Sequence, residues 1–332
     1  MKKQLGTYLK LIGWAISLLL IALSVFYFDW AKIWAVLRII NYWYLPLLFL
    51  IYLIDFYIRA YRWKIILYPI QPRASITKLF YSYNIAYFSN IFLPARLGEL
   101  FRVMITAKEE DLSRRTVLGT LFIERVFDLL GMGTITFGTL IFIGHYQMDI
   151  ETHTTLLLWS IVFVSIFFTA VAVILIIKRL DLLKLRISLL GRLFEVAEPF
   201  YNGMISVHRA PVLLLLTSIS LFMWLFNSFI LYIYIKALAI DASFLDTIVI
   251  LLFQLLGEFI PSAPSSVGTF HASTVIGCKL VGLSVDQGMA LGMLNHFVDL
   301  IIRAIVGIGS IHFMRFDYRK AIQLVQNESV SL

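Results

Sequence analysis

Residues Asn84–Asp128, NIAYFSNIFLPARLGELFRVMITAKEEDLSRRTVLGTLFIERVFD, decide how this chain folds. Charged groups at membrane depth are costly, and they usually face a bundle interior or a water-filled cavity on a substrate path. Six such groups lie here among residues that suit hydrocarbon: Arg96, Glu99, Arg102, Glu124, Arg125 and Asp128. Pro94 and Gly98 also interrupt the helical pattern, which is tolerated at that depth only where protein or a cavity surrounds the backbone. We therefore interpret the stretch as a half-helix that dips into the membrane beside a binding site.

The composition places the whole chain of 332 residues in a bilayer. Hydrophobic residues make up 60%, charged residues 14%, and the mean hydropathy is +0.88, which is more apolar than a soluble domain can cover. We expect no separate catalytic domain, no cofactor and no nucleic-acid partner, because the basic residues behind the net charge of +8 form short runs between apolar spans. The single cysteine, Cys278, excludes an intramolecular disulfide and a cysteine zinc cluster. The composition does not set an oligomeric state.

Six apolar stretches are long enough to cross the ~30 Å hydrocarbon core, which needs about 20 residues. They cover about residues 8–28, 43–63, 113–144, 154–177, 211–236 and 286–314. Two further hydrophobic regions, 74–107 and 243–280, are broken near the middle, the first at Pro94 and Gly98 and the second at residues 261–268. The sequence therefore predicts an all-α membrane protein with about six transmembrane helices and two re-entrant pairs of half-helices.

Lysine and arginine are distributed unevenly between the two sides of such a bundle. If the amino terminus is cytoplasmic, the outer segments hold only four basic residues, Lys32, Arg38, Lys236 and Lys279. The positive-inside rule then predicts a multipass cell-membrane protein with both termini in the cytoplasm. Residues 180–208 carry leucines at helical spacing beside basic residues, and we interpret them as an amphipathic helix on the inner surface.

Aromatic and charged residues near the inner end of the second span predict where it meets the membrane surface. Trp63 and Tyr68 fit an interfacial aromatic belt. Asp55, Arg59 and Arg62 form a stripe on one side of the same helix. We favour the interpretation in which both arginines snorkel to the interface over one in which they admit a lipid headgroup.

The order of helix, broken segment and helix occurs twice, over residues 43–144 and 211–314. Local sequence agrees, since residues 92–94 resemble residues 259–261. One intervening span reverses the second unit, so we interpret the pair as an inverted repeat. Interrupted segments in corresponding positions of two inverted halves indicate a transporter whose site lies between the breaks near the midplane. The alternative is the chance helical similarity that polytopic proteins share.

The charges at the first break share one helical face. On a helix that begins near Pro94, Arg96, Glu99 and Arg102 are three residues apart. The first free N–H groups and the positive end of the helix dipole favour an anion, and Arg96 and Arg102 can each hold a phosphate in bidentate fashion. Glu99 either orients an arginine or carries a proton. We favour a binding role for these three over a purely structural one because they coincide with the break.

Two later spans carry further charged groups that can pair across the bundle. The first of these spans holds Glu124, Arg125 and Asp128, and a group on one face of the last span matches them. That group is His296, Asp299 and Arg303. Two interpretations stay open, namely buried ion pairs that fix helix register and functional groups on a substrate path.

The second break is less charged than the first. Glu258 and His271 flank it, with serines and a threonine as neutral hydrogen-bonding groups between them. A lone histidine is more often a satisfied polar residue than a ligand, so His271 is a candidate proton carrier only. We predict Glu258 and His271 as substrate-binding residues together with the acids and arginines above, and we predict no catalytic residue and no metal ligand.

The chain resembles the flippase-like family named for the transmembrane region of lysylphosphatidylglycerol synthase. The resemblance rests first on the run Pro94, Arg96, Gly98, Glu99 and Arg102, and then on the group of Glu124, Arg125 and Asp128 and on the break at 261–268. It covers nearly all 332 residues. It implies translocation of a lipid headgroup between leaflets, but not synthesis of a lysyl-lipid, because no aminoacyl-transferring domain is found in these residues. The chain has Ser265, Ser266 and His271 where the family usually has a glycine pair and an acid.

The leading hypothesis is a flippase for an anionic lipid, either a plain or aminoacylated phospholipid or a polyisoprenyl-phosphate carrier. The sequence has no Walker motif, so a driving force would come from an ion gradient, or transport is passive. The first alternative is an integral-membrane enzyme acting on a lipid-linked phosphate, since arginines and carboxylates also suit phosphoryl chemistry. Against it, the sequence has no recognised nucleophile motif or histidine cluster. The second alternative is a structural scaffold.

Overall fold

The computed structural model describes residues 30–93, 97–143, 210–260 and 264–316, together with single residues between 154 and 169. These residues form nine α-helices and no strand, which confirms the all-α prediction for this part of the chain. The helices are α1 Trp30–Arg38, α2 Tyr44–Leu67, α3 Ile76–Phe92, α4 Gly98–Glu109, α5 Arg114–Ile143, α6 Ala210–Ala237, α7 Phe244–Phe259, α8 Thr269–Leu280 and α9 Val285–Met314.

The first broken region folds back on itself, and α3 and α4 together are named the first hairpin. Thr106 Oγ1 donates to Ser82 Oγ at 3.1 Å toward the open end, and the backbone N–H of Gly98 donates to Asn90 Oδ1 at 2.7 Å beside the break. The two helices are therefore antiparallel. A Cβ atom at Gly98 would collide with the carbonyl oxygen of Ala86, so only glycine allows this close approach of the two backbones.

The second broken region, named the second hairpin, consists of α7 and α8. Gln254 Nε2 donates to Thr274 Oγ1 at 3.2 Å across the pair. A Cβ atom at Gly257 would lie 2.8 Å from the carbonyl oxygen of Thr269, so these helices also approach closely. A 3₁₀ turn, Pro264–Ser266, lies between α7 and α8. The breaks predicted from proline and glycine are thus both confirmed as helix ends.

The two hairpins open at opposite ends of the bundle. At the end where α2 finishes, named the Leu67 end, Gln71 Nε2 donates to the carbonyl of Glu110 at 2.7 Å and joins the loop before α3 to the loop after α4. At the other end, named the Tyr44 end, the backbone N–H of Asn41 donates to the carbonyl of Ala237 at 2.9 Å, close to the start of α7. The loop after α8 joins the same apolar cluster as Tyr44. The two hairpins therefore run in opposite directions along the bundle.

Helix α9 lies beside the first hairpin and connects it to the second. A Cβ atom at Gly307 would collide with the side chain of Phe88 and lie 3.2 Å from the carbonyl oxygen of Asn84, so α9 and α3 are in close contact. Nearer the Leu67 end, the rings of Tyr81 and Phe313 stack with centroids 6.1 Å apart. The tip of the second hairpin also packs against α3. Helix α3 thus contacts both α9 and the second break.

Three of the described helices are long and apolar enough to cross a membrane, and they are α2, residues 211–237 of α6, and α9. The predicted spans 43–63, 211–236 and 286–314 correspond to them, and 113–144 corresponds to the 30-residue helix α5. The predicted span 8–28 and the surface helix at 180–208 lie outside the described residues, and 154–177 is described only at single helical residues. The number of crossings, the orientation and the inverted repeat stay predictions.

Candidate functional site

Six side chains from α2, α4 and α5 form a closed ring of alternating charge, named the charge ring. In order around the ring they are Arg125, Glu99, Arg102, Glu124, Arg62 and Asp128, and Asp128 contacts Arg125 again. Successive members are joined by ion pairs of 2.5 to 3.6 Å. Three cations and three anions alternate, so every charge has two neighbours of opposite sign and the charge ring is neutral as a whole.

Arg102 lies between a carboxylate and two aromatic rings. It is completely buried, and two of its guanidinium nitrogens donate to the two carboxylate oxygens of Glu124, one at 3.3 Å. The guanidinium carbon lies 3.7 Å from the ring centroid of Trp63 and 4.3 Å from that of Tyr83, so the cation is held between two aromatic faces. A desolvated contact of this kind contributes about 2 kcal/mol. Arg102 is thus fixed by Glu124 and by two rings.

Arg62 ties the charge ring to α2 and α6. It is completely buried, contacts Asp128 at 2.7 Å, and donates through Nη1 to Ser220 Oγ at 3.0 Å. Among the described residues, the Nε atoms of Arg62 and Arg102 have no hydrogen-bond partner. Since buried polar groups are normally satisfied, these donors leave hydrogen-bonding capacity inside the bundle for water or a ligand.

The charge ring is closed on one side and open on the other. Arg125 has a side chain that is 41% exposed, Glu99 is 23% exposed and Asp128 is 11% exposed. The other three members are at most 1% exposed. Arg125 and Glu99, beside the start of α4, are therefore the most exposed members of the charge ring.

A second charged group, named the central group, lies closer to the middle of α2 and on α9. Asp55 contacts Arg59 at 2.6 Å, and Asn227 of α6 completes the contact by accepting from Arg59 at 3.0 Å and donating to Asp55 at 3.2 Å. On α9, Asp299 contacts Arg303 at 2.8 Å. These five residues define the central group.

The interpretation that Arg59 and Arg62 snorkel to the interface was wrong. Arg59 has a side chain that is 11% exposed and Arg62 one that is not exposed at all, and both contact acids inside the bundle. Trp63 was also placed wrongly at an interfacial belt, because it is completely buried and its Nε1 donates to Thr120 Oγ1 at 3.1 Å. An acid in the middle of an apolar helix cannot reach water, so Asp55 was the signal that its neighbours face inward.

Two aromatic side chains of α3 lie between the charge ring and the central group. The hydroxyl groups of Tyr83 and Tyr87 are hydrogen-bonded at 2.6 Å. Tyr83 faces Arg102, as described above, and the ring centroid of Tyr87 is 5.0 Å from the guanidinium carbon of Arg303. Sequence reasoning missed both tyrosines because aromatic residues at helical spacing usually belong to the core.

The second break holds neutral groups and two histidines. The rings of His271 and His296 have centroids 4.9 Å apart, and His296 is buried whereas His271 is partly buried. Ser265 and Ser266 have φ values of 60° and 56°, in the left-handed region that residues other than glycine rarely adopt. Such backbone conformations persist where the surrounding structure holds them, and they cluster at ligand clamps and switch regions.

The structure brings the predicted site residues together in two places. Glu99, Arg102, Glu124, Arg125 and Asp128 belong to the charge ring, and Asp299 and Arg303 belong to the central group. Glu258 interacts electrostatically with both Asp299 and Arg303, and His271 lies at the second break. Arg96 falls outside the described residues. That these residues bind a substrate stays a prediction.

At the Leu67 end, Glu110 is an ionisable group outside the membrane-spanning segments. Its carboxylate accepts from the backbone N–H of Ser75 at 3.2 Å. Burial raises the pKa of Glu110 above its ordinary value, although the hydrogen bond from Ser75 acts in the opposite direction.

Among the described residues, no three His, Cys, Asp or Glu side chains come together as metal ligands would.

The chain is similar to known membrane proteins along most of its length. It matches the family described as the lysylphosphatidylglycerol synthase TM region over residues 10–307, which confirms the resemblance seen at the first break. Two relatives are UPF0104 membrane proteins of Methanocaldococcus jannaschii. One is 24% identical over 88% of this chain and 91% of the relative, and the other is 27% identical over 68% of this chain and 93% of the relative. No solved structure matches the chain.

Proposed function

This chain belongs to the family of the lysylphosphatidylglycerol synthase transmembrane region, and we propose that it moves an anionic lipid between the two leaflets of a cell membrane. The lipid is a phospholipid, an aminoacylated phospholipid or a polyisoprenyl-phosphate-linked lipid. One observation carries the proposal. The charge ring lies inside an apolar helical bundle, and two of its members, Arg125 and Glu99, are partly exposed at the surface of the bundle. Intramembrane charges that face an interior usually mark a substrate path.

The arrangement of the hairpins supports transport between two sides. Each hairpin opens at a different end of the bundle, so the two hairpins run in opposite directions. Interrupted helices that approach a common interior from opposite ends are typical of transporters with alternating access. A lipid can leave its acyl chains in the bilayer while only its headgroup passes the polar groups between the helices.

Arg125 is the group we expect to bind the phosphate. It contacts Glu99 at 3.0 Å and Asp128 at 3.2 Å. When Arg125 turns toward a phosphate, Glu99 keeps Arg102 as a partner and Asp128 keeps Arg62. Removing one partner of a buried pair normally strands a charge, at a cost of about 3 to 5 kcal/mol. Here that cost is avoided, because every acid next to Arg125 has a second arginine.

The test is reconstitution of the purified full chain into vesicles that contain a phosphatidylglycerol labelled on its headgroup. An impermeant quencher added outside measures how much labelled headgroup leaves the inner leaflet. We expect the wild-type protein to increase that rate, Arg125→Ala to reduce the increase at least tenfold, and Arg125→Lys to restore it only in part, because lysine lacks the planar two-point geometry of arginine. Arg38→Ala is the matched control, since Arg38 lies on α1 beside Trp34, away from the charge ring.

Three other results would each contradict part of this proposal. A chemically altered lipid, detected by mass spectrometry of the vesicles, would favour an enzyme acting on a lipid-linked phosphate. Equal transport by wild type and Arg125→Ala, with both proteins folded, would place the site elsewhere. A folded protein that neither transports nor alters any of the three lipid classes would favour a structural scaffold.

A further inference from the structure

Trp63 and Tyr83 hold the guanidinium of Arg102 between them, and these two side chains are named the aromatic clamp. The guanidinium carbon lies 3.7 Å from the ring centroid of Trp63 and 4.3 Å from that of Tyr83. All three side chains are buried, and they come from three different helices, α2, α3 and α4. Because a planar guanidinium stacks on aromatic faces, and more strongly when the contact is desolvated, the clamp opposes rotation of the Arg102 side chain.

Each ring of the aromatic clamp is itself held by a hydrogen bond. Trp63 Nε1 donates to Thr120 Oγ1 of α5 at 3.1 Å. The Thr120 hydroxyl donates in turn to the backbone carbonyl of Val117 at 2.7 Å, so its lone pairs are left to accept from the indole. On the other side of the guanidinium, the hydroxyl groups of Tyr83 and Tyr87 are hydrogen-bonded at 2.6 Å. Both rings are therefore oriented by groups other than Arg102.

Arg102 and Arg125 have the same number of acidic neighbours in the charge ring. Arg102 pairs with Glu99 and Glu124, and Arg125 pairs with Glu99 and Asp128. What differs is their surroundings. Arg102 is completely buried inside the clamp, whereas the side chain of Arg125 is 41% exposed and none of the described aromatic rings lies over its guanidinium. Ion pairing alone therefore does not decide which arginine stays in the charge ring.

We propose that the aromatic clamp positions Arg102 as the fixed cation of the charge ring and thereby leaves Arg125 as the cation that turns toward a phosphate. The inference deepens the proposed function and rests on it, because turning of Arg125 serves a purpose only when a phosphate-bearing headgroup arrives. The two arginines share Glu99, which stays paired during the turn only if Arg102 remains in place. Trp63 and Tyr83 are thus positioning residues, since they act through Arg102.

Chemical modification of arginine tests the clamp without any measurement of lipid transport. The purified full chain is treated with phenylglyoxal, a small reagent that reacts with accessible guanidinium groups, and the rate at each arginine is measured by peptide mass spectrometry. The readout is the ratio of the Arg102 rate to the Arg125 rate, named the modification ratio, because Arg125 is then an internal standard in every sample. In the wild-type protein we expect Arg102 to react far more slowly than the partly exposed Arg125.

Three variants separate the aromatic face from the volume of the side chain. Trp63→Leu removes one face of the clamp and should raise the modification ratio at least tenfold. Trp63→Phe keeps a ring over the guanidinium, so its ratio should stay within about threefold of the wild-type value. Phe101→Leu is the matched control, because Phe101 is also completely buried and precedes Arg102 in α4 but belongs to an apolar cluster with Ile85 and Ile105. This control should leave the ratio unchanged.

The proposal is overturned if Trp63→Leu folds and leaves the modification ratio unchanged, or if Phe101→Leu raises it equally. An equal rise in Trp63→Phe and Trp63→Leu also overturns it, because lost volume and not the lost aromatic face would then be the cause. Where Trp63→Leu does not fold, Thr120→Val decides, since it removes the hydrogen bond that orients the indole. It should raise the ratio about threefold or more, and an unchanged ratio contradicts the clamp.

Failure of the transport function gives a different pattern. In the vesicle assay described above, Trp63→Leu should reduce movement of the labelled headgroup more than Trp63→Phe does, as expected of a ring that positions Arg102. If the wild-type protein moves no labelled headgroup while the modification ratio still rises in Trp63→Leu and not in Trp63→Phe, the clamp is supported and the flippase is contradicted.

Discussion

The first and second hairpins are attached to their neighbouring helices by different kinds of side chain. Both are antiparallel helix pairs held close by glycines, and they open at opposite ends of the bundle. The first hairpin contributes Glu99 and Arg102, which form ion pairs with Arg125 and Glu124 of α5. The hydrogen bonds of the second hairpin join neutral groups, with Gln254 donating to Thr274 within the hairpin and to Asn295 of α9. Its one acid near the break, Glu258, interacts electrostatically with Asp299 and Arg303 of α9.

The difference shows what each kind of contact does for the bundle. A buried charge needs a partner of opposite sign, so the first hairpin is attached to α5 by ion pairs that are expensive to break. A neutral hydrogen bond contributes about 1 kcal/mol and is easily exchanged. We therefore expect the first hairpin to be part of the rigid frame, and the second hairpin, with its strained Ser265 and Ser266, to be the one that changes position.

The largest expected effect comes from breaking the charge ring at its most buried acid. Glu124→Gln removes a partner from both Arg62 and Arg102, so the free energy of unfolding should fall by about 3 to 5 kcal/mol. Gln254→Leu, the corresponding change in the second hairpin, should lower it by only about 1 kcal/mol. Thermal unfolding of both variants in the same detergent measures the difference.

A matched control and a rescue sharpen this prediction. Glu109→Gln breaks the ion pair with Lys78. The side chain of Glu109 is 30% exposed and that of Lys78 is 46% exposed, so this change should affect stability little. The double variant Arg102→Leu/Glu124→Leu should be more stable than Glu124→Gln, since replacing both partners leaves fewer unpaired charges. Equal losses for Glu124→Gln and Gln254→Leu would remove the distinction between the hairpins.

An intermediate effect is expected from adding one methyl group inside each hairpin. Gly98→Ala and Gly257→Ala would both bring a Cβ atom against a backbone carbonyl of the partner helix, so each should cost about 1 to 3 kcal/mol. Gly309→Ala meets nothing within 4 Å and should be neutral or stabilising by up to about 1 kcal/mol. If the second hairpin moves more freely, Gly257→Ala should cost less than Gly98→Ala when both are measured by thermal unfolding.

The smallest expected effect concerns Glu110, at the open end of the first hairpin. Because burial raises its pKa, ionising this acid costs the folded protein more than the unfolded chain, and the cost appears as pH rises through the raised pKa. Glu110→Gln should therefore raise the unfolding temperature at neutral pH by no more than about 2 °C. At about pH 4, where the carboxyl is largely protonated, the variant and wild type should converge. A lower unfolding temperature at neutral pH would mean that the Ser75 hydrogen bond outweighs burial.

The sequence predicted the hairpins better than it predicted the contacts between charges. Pro94, Gly98 and Gly268 mark positions where a helix cannot continue or must approach another closely, and these are local properties of the chain. The partners of Arg62 are not local, because Glu124 and Asp128 follow it by more than 60 residues. Spacing could show that Asp55, Arg59 and Arg62 share a face, but only the packed bundle shows that this face turns inward. The same limit applies to Trp63, whose place against Arg102 depends on where α4 lies.

The closed form of the charge ring restricts what can join it. Alternation of sign around a loop requires an even number of members, so a single phosphate inserted between Arg125 and Asp128 would place two negative groups side by side. The sequence of signs is restored if a positive group enters together with the phosphate. Because a closed ring of alternating charge has equal numbers of positive and negative members, one added negative group requires one added positive group.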